Sequence, residues 1–151
     1  MQKRSQVKKI LFAILILCFC CNVQAATVAE VQQKIIKQSK ELGVEPAIML
    51  GLAKAESGFR QEARGGNAVG VFQLLPATGK FLGVDVYDLD DNIKGGILYY
   101  RSMYNMFGST EKALAAYNLG ARQVKNCNCV PERSQPFVNR VMSNYNYYKT
   151  H

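Results

Sequence analysis

From Val28 onward, apolar and polar positions alternate with helical spacing. Val28, Val31, Ile35 and Leu42 fall on one face, with lysines and glutamines opposite. Thr27, with Glu30 three residues on, forms a capping box that opens this helix, and Gly43 stops it. Pro46 suits the first turn of a second helix. There Ile48, Met49, Leu50, Leu52, Ala53 and Ala55 point in nearly every direction, which marks a buried helix with Lys54 as its exit to water. The period fails across "GFRQEARGGNAVGVF", which reads as a long loop or a small irregular hairpin. Pro76 starts a short helix, "PATGKFLG", and "VDVYDLDD" is again a loop. Asp90 or Asp91 is expected to cap a third long helix, in which Ile93, Ile97, Tyr100, Met103, Tyr104 and Phe107 keep the period until Gly108. "STEKALAAYN" reads as a short, mostly buried helix closed near Gly120. Ser134 is expected to cap the last helix, with Phe137, Val141, Tyr145 and Tyr148 on one face. The pattern predicts a mainly α chain, a single globular helical domain with a small irregular β or loop element.

The first 25 residues depart from this pattern. Lys3, Arg4, Lys8 and Lys9 precede a continuous apolar run from Ile10 to Cys20, and "NVQAA" follows. That layout is expected for a secretory signal peptide over residues 1–25, cleaved after Ala25. The run is 11 residues, whereas a spanning helix needs about 20. Membrane contact is therefore expected only through this segment before cleavage. The domain proper would be residues 26–151, long enough to bury a core.

Composition narrows the chemistry. Losing the four signal cations would lower the formal net charge from +8 to +4, which suits an anionic polymer without specifying one. No Lys/Arg block or aromatic-basic stripe points to nucleic acid. Cys127 and Cys129 can form a tight local bridge, remain thiols or pair with another chain, and the local bridge is preferred. Without a nearby histidine they cannot complete a zinc site. The only histidine is the terminal His151, so a Ser-His-Asp or Cys-His pair is not expected. No cofactor and no metal are expected, and the chemistry falls to carboxylates, hydroxyls, amides and amines. "DLDDNIKGGILY" places Asp88, Asp90 and Asn92 like calcium-loop ligands. Ile93 stands at the required glycine, however, and Tyr99 at the bidentate glutamate. "TGKF" lacks the upstream glycine of a phosphate loop.

Glu56 is the conspicuous carboxylate. It ends the most apolar helix, just before Gly58. Apolar packing and the negative end of the helix dipole both disfavour its charged form. Gly58 lets the chain turn away and leave a gap above the side chain. A carboxyl kept protonated near neutral pH is a general acid; the alternative is an ordinary exposed glutamate. Gln73, polar between Phe72 and Leu74, either satisfies loop backbone or offers an amide to a ligand. Tyr117 and Asn118, just before a glycine break, are either a core residue and a helix end or further site groups.

Taken in order, "ESGFR", "GVFQLLPATG", "DDNIKGGILYYRSMYNMF", "ALAAYNLGARQV" and "PFVNRVMSNYNYY" resemble the blocks of lytic transglycosylases of the soluble (SLT) type. The resemblance runs from about Val31 to Tyr148. It implies a goose-lysozyme-like fold of the α+β lysozyme-like superfamily. It also implies non-hydrolytic cleavage of the MurNAc–GlcNAc β-1,4 bond of peptidoglycan, leaving 1,6-anhydroMurNAc ends. By this resemblance Glu56 is the sole catalytic acid then base, while Ser57, Gln73, Tyr117 and Asn118 hold the site and the substrate. A small exported member is most similar to those serving secretion systems, conjugation machines or pili. The implied setting is periplasmic or secreted, as a monomer acting on glycan strands.

Departures from the family pattern are visible. Val71-Phe72 replaces leucine-methionine, and Arg64 or Gly65 stands where a loop serine is usual. Leu119 and Ala121 flank the fourth-block glycine, and Arg133-Ser134 replaces glutamate-threonine. A hydrolytic muramidase would need a second carboxylate, for which Glu62, Asp85 and Asp88 are the loop candidates. A non-catalytic peptidoglycan-binding scaffold is the alternative of another class.

Overall fold

The computed structural model describes residues 25–151. The signal segment expected at 1–25 lies outside the described residues except for Ala25. Helix α1 spans Val28–Glu41 and opens as its pattern predicts. The Thr27 side chain accepts from Glu30 N, and the Glu30 carboxylate accepts from Thr27 N at 2.7 Å. Val31 and Ile35 are fully covered, but Val28 remains exposed, because the first turn projects beyond the core.

Helix α2, Pro46–Glu56, is buried continuously from Ala47 to Ala53. It packs against the last helix, α7, Gln135–Thr150. Gly51 permits the contact: a Cβ there would stand 2.9 Å from Tyr145 N and 3.0 Å from Val141 O. Asn144 Nδ2 donates to Gly51 O at 3.2 Å across the same junction. Two residues of each strand, β1 Arg64–Gly65 and β2 Ala68–Val69, pair antiparallel, with Arg64 opposite Val69. The irregular hairpin expected from the sequence is this pair.

Helix α3, Pro76–Leu82, leads through a loop to α4, Leu89–Phe107. The cap of α4 is Asp88, not Asp90 or Asp91: Asp88 has extended dihedrals, and its side chain accepts from Asp91 N at 2.9 Å. The expected caps are used otherwise. Asp91 accepts from Asp85 N at 2.8 Å, and Asp90 pairs with Lys34 at 2.8 Å. Helix α5, Thr110–Leu119, is followed by α6, Ala121–Cys127, which apolar periodicity did not reveal. Cys127 and Cys129 are joined in the local disulfide.

Ser134 ends a 3-10 turn, Glu132–Ser134, and makes no side-chain cap to α7. Its near-helical dihedrals withhold the extended geometry an N-cap needs. Its hydroxyl donates instead to Asn118 Oδ1 at 3.2 Å.

The glycine-rich segment is held to α4 by one buried side chain. Asn92 Oδ1 accepts from Phe72 N, and its Nδ2 donates to Val69 O and Val86 O, each at 2.9 Å. Gly70, at φ +81°, brings backbone against the Asn92 amide and Gln61, where a side chain would collide. The fully buried Phe72 ring lies against Gly96 of α4. The loop is therefore a fixed wall rather than a loose connection.

Candidate active site

Glu56 is the last residue of α2, and Gly58, at φ +63°, turns the chain away directly after it. Ser57 N and Gly58 N donate back to Ala53 O at 3.1 Å and Lys54 O at 3.2 Å, so the helix closes without the carboxylate's help. The Ser57 hydroxyl donates to Val71 O at 2.8 Å and accepts from Arg60 N at 3.1 Å. Ser57 is thus a buried tie between the helix end and the loop, behind the cleft wall rather than on it.

Above Glu56 lies a cleft of about 460 Å³, walled by Gln73 and Leu75 on one side and Tyr99, Tyr117 and Asn118 on the other. Glu56 is the single carboxylate among the residues lining it. No hydrogen bond or ion pair to a described residue holds its carboxyl. Burial without compensation pushes its pKa up to about 7, against a weaker downward pull from Arg140.

Gln73 occupies a left-handed backbone conformation, φ 47°, which is uncommon for a side-chain-bearing residue. Its Nε2 donates to Gly70 O at 2.8 Å and Ala63 O at 3.2 Å. Its Oε1 has no partner among the described residues, and a Cβ on Gly65 would come within 2.6 Å of it. One end of the amide therefore satisfies the loop, and the residue also lines the cleft.

Tyr117 is almost fully buried, and its hydroxyl donates to Phe72 O at 2.8 Å. Its ring lies 5.0 Å from that of Tyr99, tilted by 57°. Burial first, then the nearness of Glu56 and Tyr99, raises the Tyr117 pKa well above the usual tyrosine value, so it stays neutral. Asn118 is exposed at the rim. With Oδ1 taken by Ser134, its amide Nδ2 is the free donor.

Glu56, Gln73, Tyr117 and Asn118 therefore share one cleft. Tyr99, Thr78 and Arg140 were not singled out from the sequence. Tyr99 carried a signal: it precedes Tyr100 in mid-helix, and two adjacent tyrosines cannot share one helical face. Tyr100 faces the core and Tyr99 the cleft. Arg140 lies on α7, 84 residues from Glu56 in sequence, and had no local signal.

The rival carboxylates lie elsewhere. Glu62 is exposed, Asp85 Oδ1 accepts from Tyr87 N at 2.9 Å, and Asp88 caps α4; none lines the cleft. Arg64 also lies off the cleft, donating from Nη1 to Ala63 O at 2.8 Å and Gln61 O at 3.0 Å. Among the described residues no group of three or more His, Cys, Asp or Glu side chains is placed to hold a metal ion. No described helix is long and apolar enough to cross a membrane.

The family model described as "Transglycosylase SLT domain" matches residues 33–133. The chain belongs to this family. The matched SLT domain includes every cleft residue named above and ends before Arg140. The chain is 33% identical over 110 residues to "Transglycosylase" of Enterobacteria phage PRD1, covering 72% of this chain and 40% of the relative. Two solved structures share the fold. One is an inactive glutamate-to-glutamine variant of the lytic transglycosylase Slt of Pseudomonas aeruginosa (TM-score 0.69, 22% identity, 78% of this chain and 24% of that chain). The other is the 70 kDa soluble lytic transglycosylase of Escherichia coli (TM-score 0.70, 19% identity, with the same coverage). The SLT domain described here thus spans about two fifths of the phage relative and a quarter of each solved chain. The lysozyme-like, mainly helical fold expected from the sequence is the fold observed.

Proposed function

We propose that this chain is a peptidoglycan lytic transglycosylase that uses Glu56 as acid and then as base. The observation that carries the reading is the solitary carboxyl at the cleft floor, buried, unpartnered and raised to about 7. Protonated Glu56 gives its proton to the glycosidic oxygen between MurNAc and GlcNAc as the C1–O bond breaks. The C6 hydroxyl of the same MurNAc attacks C1, and the Glu56 carboxylate takes that hydroxyl's proton. The product is a 1,6-anhydro ring, and Glu56 is protonated again.

The nucleophile belongs to the substrate, so one protein carboxylate suffices. Glycosidases that hydrolyse use two, about 5 Å apart for retention or about 6.5–9.5 Å for inversion. Gln73 Oε1 can accept from an N-acetyl N–H, and Asn118 Nδ2 can donate to a sugar oxygen. Tyr99 and Tyr117 exclude water, which favours the internal hydroxyl over hydrolysis. Holding that hydroxyl against C1 is a proximity effect. The inactive glutamate-to-glutamine variant of the Pseudomonas Slt supports, by analogy of fold, the need for a glutamate in that protein's activity.

The same reading includes export directed by residues 1–25 and action on periplasmic or secreted glycan as a monomer. Service to a secretion, conjugation or pilus machine rests on the sequence resemblance alone. The test is mass spectrometry of purified sacculi digested by the protein. Anhydro ends are expected. Reducing ends would establish a hydrolase, and intact sacculi that retain bound protein would establish a scaffold.

A further inference from the structure

Cys127 and Cys129 take no part in the chemistry proposed above, and their bridge does little for the fold. They stand one residue apart at the end of α6, so the bond joins two positions of one turn and no two elements. The chain entropy a disulfide removes falls with the loop it closes, and this loop holds a single intervening residue. Other contacts already fix the segment. Val124 is fully buried, and Ser134 holds the far end to Asn118. Asn128 makes the turn itself at φ 50°, in the left-handed conformation that asparagine tolerates. Lys112 Nζ donates to Asn128 Oδ1 at 2.9 Å and holds that turn to α5.

Both cysteines are exposed, and their sulfurs differ in surroundings. Cys127 Sγ is screened by carbonyl oxygens: those of Gln123, Val124 and Cys129 lie 3.6, 3.8 and 3.5 Å away. Their partial negative charge repels an approaching anion. Cys129 Sγ makes no hydrogen bond to a described residue. Attack of a thiolate on Cys129 would expel Cys127. Cys129 N donates to Cys127 Sγ at 3.2 Å, so a backbone N–H stands at the sulfur that would receive the electron pair. Cations outnumber carboxylates in the segment that carries the bridge. Arg122, Lys125 and Arg133 stand against Glu132 between Ala121 and Ser134, and Lys112 is tied to the residue between the cysteines. An electropositive, exposed setting favours the thiolate form.

We infer that Cys127–Cys129 is a thiol–disulfide exchange site, separate from the cleft over Glu56, whose substrate is an external cysteine thiol taken up on Cys129. The external thiolate attacks Cys129 Sγ and forms a mixed disulfide. The Cys127–Cys129 bond breaks, its electron pair passes to Cys127 Sγ, and water supplies the proton that makes Cys127 a thiol. A second external thiolate attacks the mixed disulfide at the external sulfur, and Cys129 leaves. The chain gains two electrons, and the two external thiols become one disulfide. An exposed bridge that braces no element belongs to the exchangeable class of disulfides rather than the structural one.

Timed reduction of the oxidised full-length protein tests the inference. One arm uses reduced glutathione and the other a reduced thioredoxin; thiols are capped by alkylation, and peptide mapping reads Cys127 and Cys129 alone. Glutathione should open the bridge about tenfold faster than it attacks free cystine. A much higher rate per thiol with thioredoxin would identify a protein dithiol as the preferred source, and equal rates a small thiol; either result supports the site. Single-cysteine variants locate the attacked sulfur. Offered oxidised glutathione, the lone Cys129 of Cys127→Ser should form the adduct about tenfold faster than the lone Cys127 of Cys129→Ser. Glu56→Gln should exchange at the parent rate, so failure of the sugar chemistry and failure of exchange are read apart. A bridge opened no faster than cystine in both arms, or an adduct rate on Cys127 equal to or above that on Cys129, would overturn the inference.

Discussion

The hydroxyl of Tyr117 donates to the carbonyl of Phe72 across 2.8 Å, and it joins two walls of the cleft over Glu56. Tyr117 lies in the last turn of helix α5, and Phe72 lies in the glycine-rich loop, 45 positions earlier. The bond commits the phenol proton to backbone. In the mechanism proposed above, Tyr117 is a positioning residue that acts on Glu56 through packing and water exclusion.

Tyr117→Phe keeps the ring and removes the bond. The stranded Phe72 carbonyl should cost about 1–2 kcal/mol of stability, read as a lower melting temperature. Turnover should fall about tenfold with little change in KM, because the acid is less well held. Loss as complete as that of Glu56→Gln would instead make Tyr117 a direct proton donor.

Glu56 ties stability to activity. Its folded pKa, about 7, lies above the ordinary 4.5, so the folded state holds the proton more tightly than the unfolded chain. Below pH 4.5 both states are protonated and nothing is lost. As pH rises from 4.5 to 7 the unfolded state ionises freely and stability falls, by a ceiling of about 3 kcal/mol at 1.36 kcal/mol per pK unit. Glu56→Gln removes that penalty. The variant should match the parent in denaturant titrations near pH 4, exceed it increasingly up to pH 7 and keep a constant margin above. It should release no product at any pH.

Arg140 pulls the Glu56 pKa down. The activity of the parent should decline above about pH 7, where the acid loses its proton. Arg140→Met should move this alkaline limb upward, as read from kcat/KM against pH. An unmoved or lowered limb would show that the Arg140 charge does not reach the carboxyl.

Asn92→Ala tests the wall behind the site. It deprives the buried Phe72 N of its partner, while Val69 O keeps Leu74 N at 3.0 Å and Val86 O keeps Gln61 Nε2 at 3.2 Å. One buried unsatisfied donor costs about 1–3 kcal/mol, and a loss of that size is expected in chemical denaturation. Activity measured well below the melting temperature should fall through higher KM, because Gln73 belongs to that loop.

Elements whose signals are local were legible from the sequence. The Thr27–Glu30 box opens α1, Pro46 starts α2, and the all-round apolar run of α2 is buried with Glu56 at its end. Three acidic residues crowd the start of α4, and composition alone could not choose among Asp88, Asp90 and Asp91. Tertiary partners decided: Lys34 draws Asp90, and Asp85 N draws Asp91. Ser134 carried a cap signal, but the preceding 3-10 turn gave its hydroxyl to Asn118. Helix α6 buries only Val124 and so leaves no apolar period to read. Within the site, Gln73 was visible as a polar side chain between Phe72 and Leu74, and Tyr117 and Asn118 as neighbours just before a glycine break. Arg140 reaches Glu56 only through the packing of α7 on α2, which no local spacing encodes.

The pKa of the Glu56 carboxyl, followed by carbon-detected NMR of protein labelled at glutamate, tests the central claim most directly. The midpoint assigned to Glu56 by comparison with Glu56→Gln should lie near 7. A Glu56 midpoint near 4.5 would contradict the account, because the cleft would then hold an ordinary carboxylate with no proton to give at neutral pH.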